Sequence, residues 1–312
     1  MSTRAAFLLG WLACVSVGGV ASAAELRFQT VLAPDGMPLN VVEAGPTDAP
    51  GILFIHGVGQ NYASWDRQLQ SDLADSFHLV AFDLRGHGGS GKPWRPESYN
   101  QACIWADDVA AVMTATALKR PVMVVWSYGG TVGMDYVRCR GTDNLAGIVF
   151  AAARGGLYPN SELDPRIPAA SEKLRSPDLG QNIQGAQEFT SFLTASPLPP
   201  EIEAMARVTN LMYPPYARQA NDGPKSLPDG SVYKNNEDLI PRLTLPLLFA
   251  LGEKDAFSSA RAAEAAIRER LPKAELKTYP NAGHWIFFDA AEPFNRDLRD
   301  FATRAISNPL KH

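Results

Sequence analysis

Cysteine is scarce in this sequence, with three residues in 312. Cys14 lies in an apolar N-terminal stretch, which leaves Cys103 and Cys139 for the rest of the chain. We predict both on helices that start at the same edge of a sheet, Cys103 near the start of one and Cys139 roughly 18 Å along the other. A disulfide needs Cα atoms within about 7 Å. We therefore expect two free, separate thiols, and no Cys/His spacing here is typical of a metal site.

Blocks of positive charge and long apolar runs are also missing beyond the N-terminus. Lysine and arginine number 29 against 33 acidic residues, a formal net charge of −4. A nucleic-acid-binding protein needs a basic face, so we expect no nucleic-acid partner. No later stretch approaches the about 20 apolar residues that cross a bilayer, so we expect no membrane span in the mature chain.

The N-terminus has the layout of a secretory signal peptide. Arg4 precedes an apolar stretch that ends in the small residues Ala21-Ser22-Ala23. This pattern predicts a signal peptide over 1–23, cleavage after Ala23 and export to the periplasm or medium. N-terminal sequencing of the mature protein checks this, because any start other than Ala24 contradicts the predicted cleavage.

Short apolar runs and helical patterns alternate through the rest of the chain. ELRFQTVL and MPLNVVEA predict a hairpin, and GILFIHG, FHLVAFD, PVMVVWS and LAGIVFAAA predict strands buried on both faces. Helical patterns cover 62–75, 99–118 and 128–140. The alternation resumes with LPLLFALGE, a helix over 258–271, AELKTYP and a helix over 291–306. We therefore predict an α/β core over 24–154 and 242–312, interrupted by a helical lid insertion over 155–241.

Three residues that could form a catalytic triad follow predicted strands. Ser127 lies in VVWSYGG, Asp255 in ALGEKDAF and His284 in NAGHWIFF. Ligands of open α/β sheets bind at the carboxyl ends of the strands, where all three fall. The imidazole of His284 would accept the Ser127 proton, and Asp255 would orient that imidazole.

With FIHGVG and AFDLRGHGGSG, these motifs resemble the α/β-hydrolase superfamily, especially its lid-bearing serine esterase and haloperoxidase-like members. The resemblance covers nearly all of the mature chain and is weakest across the insertion. It implies a mostly parallel eight-stranded sheet flanked by helices, and an oxyanion hole formed by the N–H groups of Val58 and Tyr128. It implies no cofactor.

One motif nearly matches a phosphate-binding loop. In GHGGSGKP, Pro93 stands in place of the Mg²⁺-binding hydroxyl of such a loop, so we expect no ATP binding there.

Aromatic residues beside the triad favour an apolar pocket. We expect Trp126, Phe257 and Trp285 to bind substrate, together with some apolar lid residues, and we expect a small, uncharged ester as substrate. Perhydrolase, lactonase or C–C bond hydrolase activity would use the same triad. A non-enzymatic alternative is an exported protein that binds a small ligand on the same fold.

Val125 departs from the pattern, because the nucleophile elbow is written G-x-S-x-G and usually has glycine two residues before the serine. A valine brings two methyl groups to a crowded turn. Gly133 lies in the helix that follows, where glycine costs roughly 1 kcal/mol relative to alanine. We therefore predict that the missing side chain of Gly133 makes room for Val125.

Overall fold

The computed structural model describes residues 24–159 and 163–307. Eight of its strands form one sheet: β1 (Arg27–Leu32), β2 (Pro38–Ala44), β3 (Gly51–Ile55), β4 (His78–Phe82), β5 (Val122–Trp126), β6 (Gly147–Ala151), β9 (Leu247–Gly252) and β10 (Glu275–Tyr279). Their order is β1-β2-β4-β3-β5-β6-β9-β10. β2 pairs antiparallel with β1 and with β4, and the remaining pairs are parallel. This confirms the predicted mostly parallel eight-stranded sheet.

The continuous apolar runs form the centre of this sheet. Every residue of β3, β4, β5, β6 and β9 is buried. Helices cover both faces, which is why these strands show no apolar-polar alternation. Five parallel strand ends therefore lie at one edge, where the loops after them can meet.

The helices are α1 (Asp66–Leu69), α2 (Ala102–Ala115), α3 (Gly129–Arg140), α4 (Ile167–Arg175), α5 (Leu179–Thr190), α6 (Pro200–Leu211), α7 (Pro215–Ala220), α8 (Ala260–Arg270), α9 (Ile286–Asp289) and α10 (Ala291–Ser307). The predicted continuous helix over 62–75 is wrong, because α1 is flanked there by separate 3₁₀ turns. Ser71 interrupts it: its hydroxyl donates to Gln68 O and accepts from Leu73 N, replacing helical bonds.

The predicted insertion over 155–241 contains α4 to α7 and a two-stranded ribbon of β7 (Lys225–Ser226) and β8 (Val232–Tyr233). It leaves the sheet after β6 and returns at β9. The predicted signal peptide over 1–23 lies outside the described residues and stays a prediction. No helix in the described part of the chain is long and apolar enough to cross a membrane.

Cys103 and Cys139 form a disulfide, so the prediction of free thiols was wrong. Their Cα atoms lie 5.6 Å apart. Beside them, Arg140 donates to Asp107 at 2.5 Å, which also joins the start of α2 to the end of α3. The long segment 83–101 separates α2 from β4, so α2 need not begin level with α3 as we assumed.

The predicted compensation between Val125 and Gly133 is confirmed. A Cβ atom on Gly133 would lie 2.8 Å from Val125 Cγ1 and 3.3 Å from the Met123 sulfur. Real Cβ atoms do not approach to 2.8 Å, so α3 can pack on β5 at this distance only because position 133 is glycine. The missing side chain of Gly133 on α3 therefore leaves the space that the Val125 side chain occupies.

We expect Gly133→Ala to destabilise the protein despite the higher helix propensity of alanine. Overpacking against Val125 costs about 1–3 kcal/mol, and the gain in propensity offsets roughly 1 kcal/mol of it. Urea unfolding measures the net loss. The control is Gly133→Ala in a Val125→Ala background, where the substitution should cost less; an equal cost in both backgrounds would contradict the steric explanation.

Candidate active site

Ser127 lies at the turn between β5 and α3, in a backbone conformation that side chains rarely adopt. Its φ is +52°, and such strain costs of order 1–3 kcal/mol. The turn is tight because α3 starts directly beside β3: a Cβ on Gly129 would lie 2.4 Å from Ile55 O. The strand and the helix together therefore hold the Ser127 side chain at the carboxyl edge of the sheet.

Asp255 and His284 meet at this edge from the loops after β9 and β10. His284 Nδ1 lies 3.0 Å from each carboxylate oxygen of Asp255, and both side chains are about 5% exposed or less. The Phe257 N–H donates to Asp255 Oδ1 at 2.7 Å and fixes the carboxylate. A carboxylate only accepts, so the imidazole proton lies on Nδ1 and leaves Nε2 available as a base.

His284 Nε2 is buried and has no hydrogen-bond partner among the described residues. Ser127, Asp255 and His284 line one cavity, although no hydrogen bond joins the serine to His284 Nε2. Such bonds are often long in structures without substrate and shorten when it binds. The structure therefore brings the three predicted triad residues together and leaves the imidazole nitrogen that would take the serine proton unpaired.

Val58 and Tyr128 are also placed next to Ser127. A Cβ on Gly57 would lie 3.1 Å from Ser127 Cβ, so the loop after β3 runs alongside the nucleophile. Neither the Val58 nor the Tyr128 N–H has an acceptor within the described residues. The ring of His56 holds this loop, because its Nε2 accepts from Leu84 N and its Nδ1 can donate to Gly57 O at 2.7 Å. The two amides are thus available for an oxyanion.

Of the three predicted substrate-binding residues, one lines the cavity. Phe257 does, and its ring centre lies 4.2 Å from that of His284. Trp126 and Trp285 do not: each is 1% exposed, and their rings stack on each other beneath the site. Trp126 Nε1 donates to His284 O at 2.9 Å, so this indole positions the histidine loop. Their assignment to substrate binding was wrong because sequence position does not show which way a large ring points.

The cavity has a volume of about 260 Å³ and mixes apolar and polar walls. Apolar and aromatic side chains form one part of its lining: Ala152, Tyr158, Leu163, Ile167, Leu251, Phe257 and Ala260. Polar groups from Thr131, Arg154 and Ser258, which were not predicted from the sequence, also line it. Arg154 follows β6 at the carboxyl edge, which is the same signal that identified Asp255. No cluster of His, Cys, Asp and Glu in the described part of the chain could hold a metal ion.

Comparison with known proteins identifies the protein family to which the chain belongs. The model of the alpha/beta hydrolase family matches residues 52–297, and the chain belongs to this family. It is 28% identical over 275 residues to the bifunctional esterase/perhydrolase DCH of Acinetobacter calcoaceticus, covering 87% of this chain and 98% of that one. It is 25% identical over 257 residues to the non-heme chloroperoxidase CPO-A1 of Kitasatospora aureofaciens, covering 81% and 92%.

A solved structure agrees with these relatives. A protein of Burkholderia cenocepacia, provisionally assigned as an aryl esterase, superimposes with a TM-score of 0.80 at 30% identity, over 90% of this chain and all of that one. The resemblance to esterase and haloperoxidase-like α/β hydrolases inferred from the sequence motifs is therefore confirmed.

Proposed function

We propose that this protein is a serine hydrolase that cleaves small carboxylic esters through an acyl-enzyme. The observation that carries the proposal is the buried Asp255–His284 pair in one cavity with Ser127. Two unpaired amides beside the serine supply an oxyanion site, and the relatives include an esterase/perhydrolase. The family relatives are enzymes, which disfavours the alternative of a non-catalytic binding protein.

The reaction would run in two halves. Ser127 Oγ attacks the carbonyl carbon while its proton passes to His284 Nε2, and the carbonyl electrons move onto an oxygen held by the Val58 and Tyr128 N–H groups. Collapse breaks the ester C–O bond, and the imidazolium gives its proton to the leaving alcohol. Water then attacks the acyl carbon and passes a proton to His284; collapse breaks the bond from the acyl carbon to Ser127 Oγ, which takes that proton back as the carboxylic acid leaves.

Perhydrolysis is the second candidate, favoured by the esterase/perhydrolase and chloroperoxidase relatives. Hydrogen peroxide would replace water in the second half and release a peroxyacid from the same acyl-enzyme. The balance between the two reactions depends on which nucleophile reaches the acyl carbon. It does not change the role of Ser127, Asp255 or His284.

Covalent labelling tests the proposal. We expect a fluorophosphonate probe to modify the purified protein at Ser127, and Ser127→Ala to lose both the label and the hydrolysis of p-nitrophenyl acetate. Ser64→Ala is a matched control, because Ser64 is a buried serine that does not line the cavity and whose carbonyl accepts from the Trp285 indole. Equal labelling of Ser127→Ala and the unmodified protein would contradict the proposal. A panel of esters and lactones with and without peroxide then separates hydrolysis, lactone opening and perhydrolysis.

A further inference from the structure

An arginine lines the cavity that holds the triad. Arg154 lies in the segment after β6 and faces the same cavity as Ser127 and His284. The other charged side chain that the described residues contribute to the lining, apart from the titratable His284, is Asp255. The carboxylate of Asp255 is already paired with the His284 imidazole. Arg154 therefore brings to the cavity a positive charge that has no part in the triad.

The backbone that carries Arg154 is held tightly against the helix that follows the nucleophile. A Cβ on Gly130 would lie 2.9 Å from Ala153 Cβ and 3.1 Å from Gly155 N. A Cβ on Gly155 would lie 2.8 Å from the Met134 side chain. The residues on either side of Arg154 thus pack directly on α3, so the backbone from which the Arg154 side chain extends is held close to the helix that begins at the Ser127 turn.

The guanidinium keeps hydrogen-bonding capacity. Its Nη1 donates to Tyr158 O at 3.2 Å, whereas the group has five N–H donors in total. No carboxylate of residues 24–159 or 163–307 forms a salt bridge with it. Burial lowers the pKa of Arg154, but an arginine stays protonated at neutral pH. A partly buried cation of this kind is stabilised by an anion that enters the cavity.

We propose that Arg154 binds a carboxylate of the substrate, so that the preferred ester carries an acidic group a few carbon atoms from the scissile carbonyl. This inference rests on the proposed ester hydrolysis and names its substrate class. A guanidinium fork matches a carboxylate through two parallel charge-assisted hydrogen bonds. Leu163, Ile167 and Phe257 offer apolar walls for the intervening carbons. This proposal replaces the expectation of an uncharged substrate, which followed from the aromatic residues beside the triad and the apolar residues of the lid.

Paired substrates test the proposal. Monoethyl succinate, glutarate and adipate carry the acid in the acyl part, 3-acetoxypropionate carries it in the alcohol part, and the matching ω-amides are neutral and equal in size. The measured quantity is kcat/KM for each acid divided by kcat/KM for its amide. We expect this ratio to exceed one in at least one pair and to fall about 10- to 100-fold in Arg154→Gln, the range for a hydrogen bond to a charged group.

The controls separate charge recognition from a structural role. Arg154→Lys should recover part of the ratio, and Arg268→Gln, at an exposed arginine on α8 paired with Glu264, should leave it unchanged. Loss of the bond to Tyr158 O alone would slow acid and amide equally and leave the ratio intact, which would overturn the proposal. Calorimetric binding of monoethyl glutarate to Ser127→Ala, lost in Ser127→Ala/Arg154→Gln, is a second readout that needs no turnover. If the esters with an ω-amide are hydrolysed but Arg154→Gln leaves the acid-to-amide ratio unchanged, the anion site alone is contradicted. If no ester is hydrolysed and the fluorophosphonate probe labels nothing, the proposed function is contradicted as well.

Discussion

Asp255→Asn should lower kcat for p-nitrophenyl acetate by about 10⁴-fold with little change in KM. The Phe257 N–H donates to Asp255 Oδ1, so an asparagine would keep its oxygen there and turn its NH₂ toward His284. The amide oxygen and NH₂ would then occupy the two positions that now lie 3.0 Å from Nδ1. The NH₂ cannot accept from Nδ1–H, and the amide oxygen is already engaged by the Phe257 N–H, so the tautomer in which Nδ1 accepts from the NH₂ and the proton lies on Nε2 becomes favoured. The imidazole then cannot take the Ser127 proton.

The same carboxylate-to-amide change at Asp229 is the matched control. Asp229 is an exposed turn residue whose side chain accepts from Ser231, and asparagine serves equally well in such a turn. We expect Asp229→Asn to keep full activity. If Asp255→Asn retains more than about a tenth of wild-type kcat, the orienting role lies with another carboxylate, and Glu253 in the same loop is the next residue to change.

The largest expected effect on stability is at Lys225, where Lys225→Met should lower the free energy of unfolding by about 3–5 kcal/mol. Lys225 Nζ contacts Asp135 Oδ2 at 2.5 Å, and the two side chains are 6% and 0% exposed. Burial lowers the pKa of Lys225 and raises that of Asp135, while their attraction opposes both shifts. The hydroxyl of Tyr233 also donates to Asp135. Without the lysine, Asp135 would remain as a buried charge whose one hydrogen-bond partner among the described residues is the neutral Tyr233 hydroxyl, with the charge of Arg138 acting on it less strongly than that of Lys225.

A surface pair gives the matched comparison. Lys173 and Glu188 are 2.6 Å apart but 30% and 34% exposed, so Lys173→Met should cost at most about 1 kcal/mol. The double variant Lys225→Met/Asp135→Leu should be more stable than Lys225→Met, because it removes the unpaired charge. Urea unfolding measures all three. A Lys225→Met protein as stable as wild type would show that the pair carries no buried charge.

The Lys225–Asp135 pair also joins the insertion to α3, the helix that follows Ser127. Lys225 and Tyr233 belong to the ribbon β7–β8, whereas Asp135 lies on α3. The ammonium lies 5.1 Å from the ring of Tyr128, and the Tyr128 hydroxyl donates to Asn221 of the same insertion. Tyr128, which follows Ser127, is therefore held at its side chain by the insertion and at its backbone by α3.

Local patterns predicted most of the sheet and the candidate site. Each buried strand appeared as an apolar run; Ser127 and Asp255 each followed one of them, and His284 followed the edge strand β10, which is largely not buried. Because parallel strands present their carboxyl ends at one edge, sequence position was enough to predict that these three side chains meet. The Val125–Gly133 contact was also predicted, because the strand before the turn packs on the helix after it and a glycine six residues after Ser127 leaves room there for the valine.

Other features depended on contacts that sequence position does not specify. The sequence by itself determined which segments lie in the sheet and which residue types stand at its carboxyl edge. The reason is that a strand buried on both faces must be a continuous run of apolar residues. Only the tertiary structure decided that α2 begins beside the end of α3, which pairs Cys103 with Cys139. It likewise decided that Trp126 and Trp285 lie under the cavity while Arg154 lines it. Helix placement and side-chain direction arise from packing between distant segments, and no local pattern encodes them.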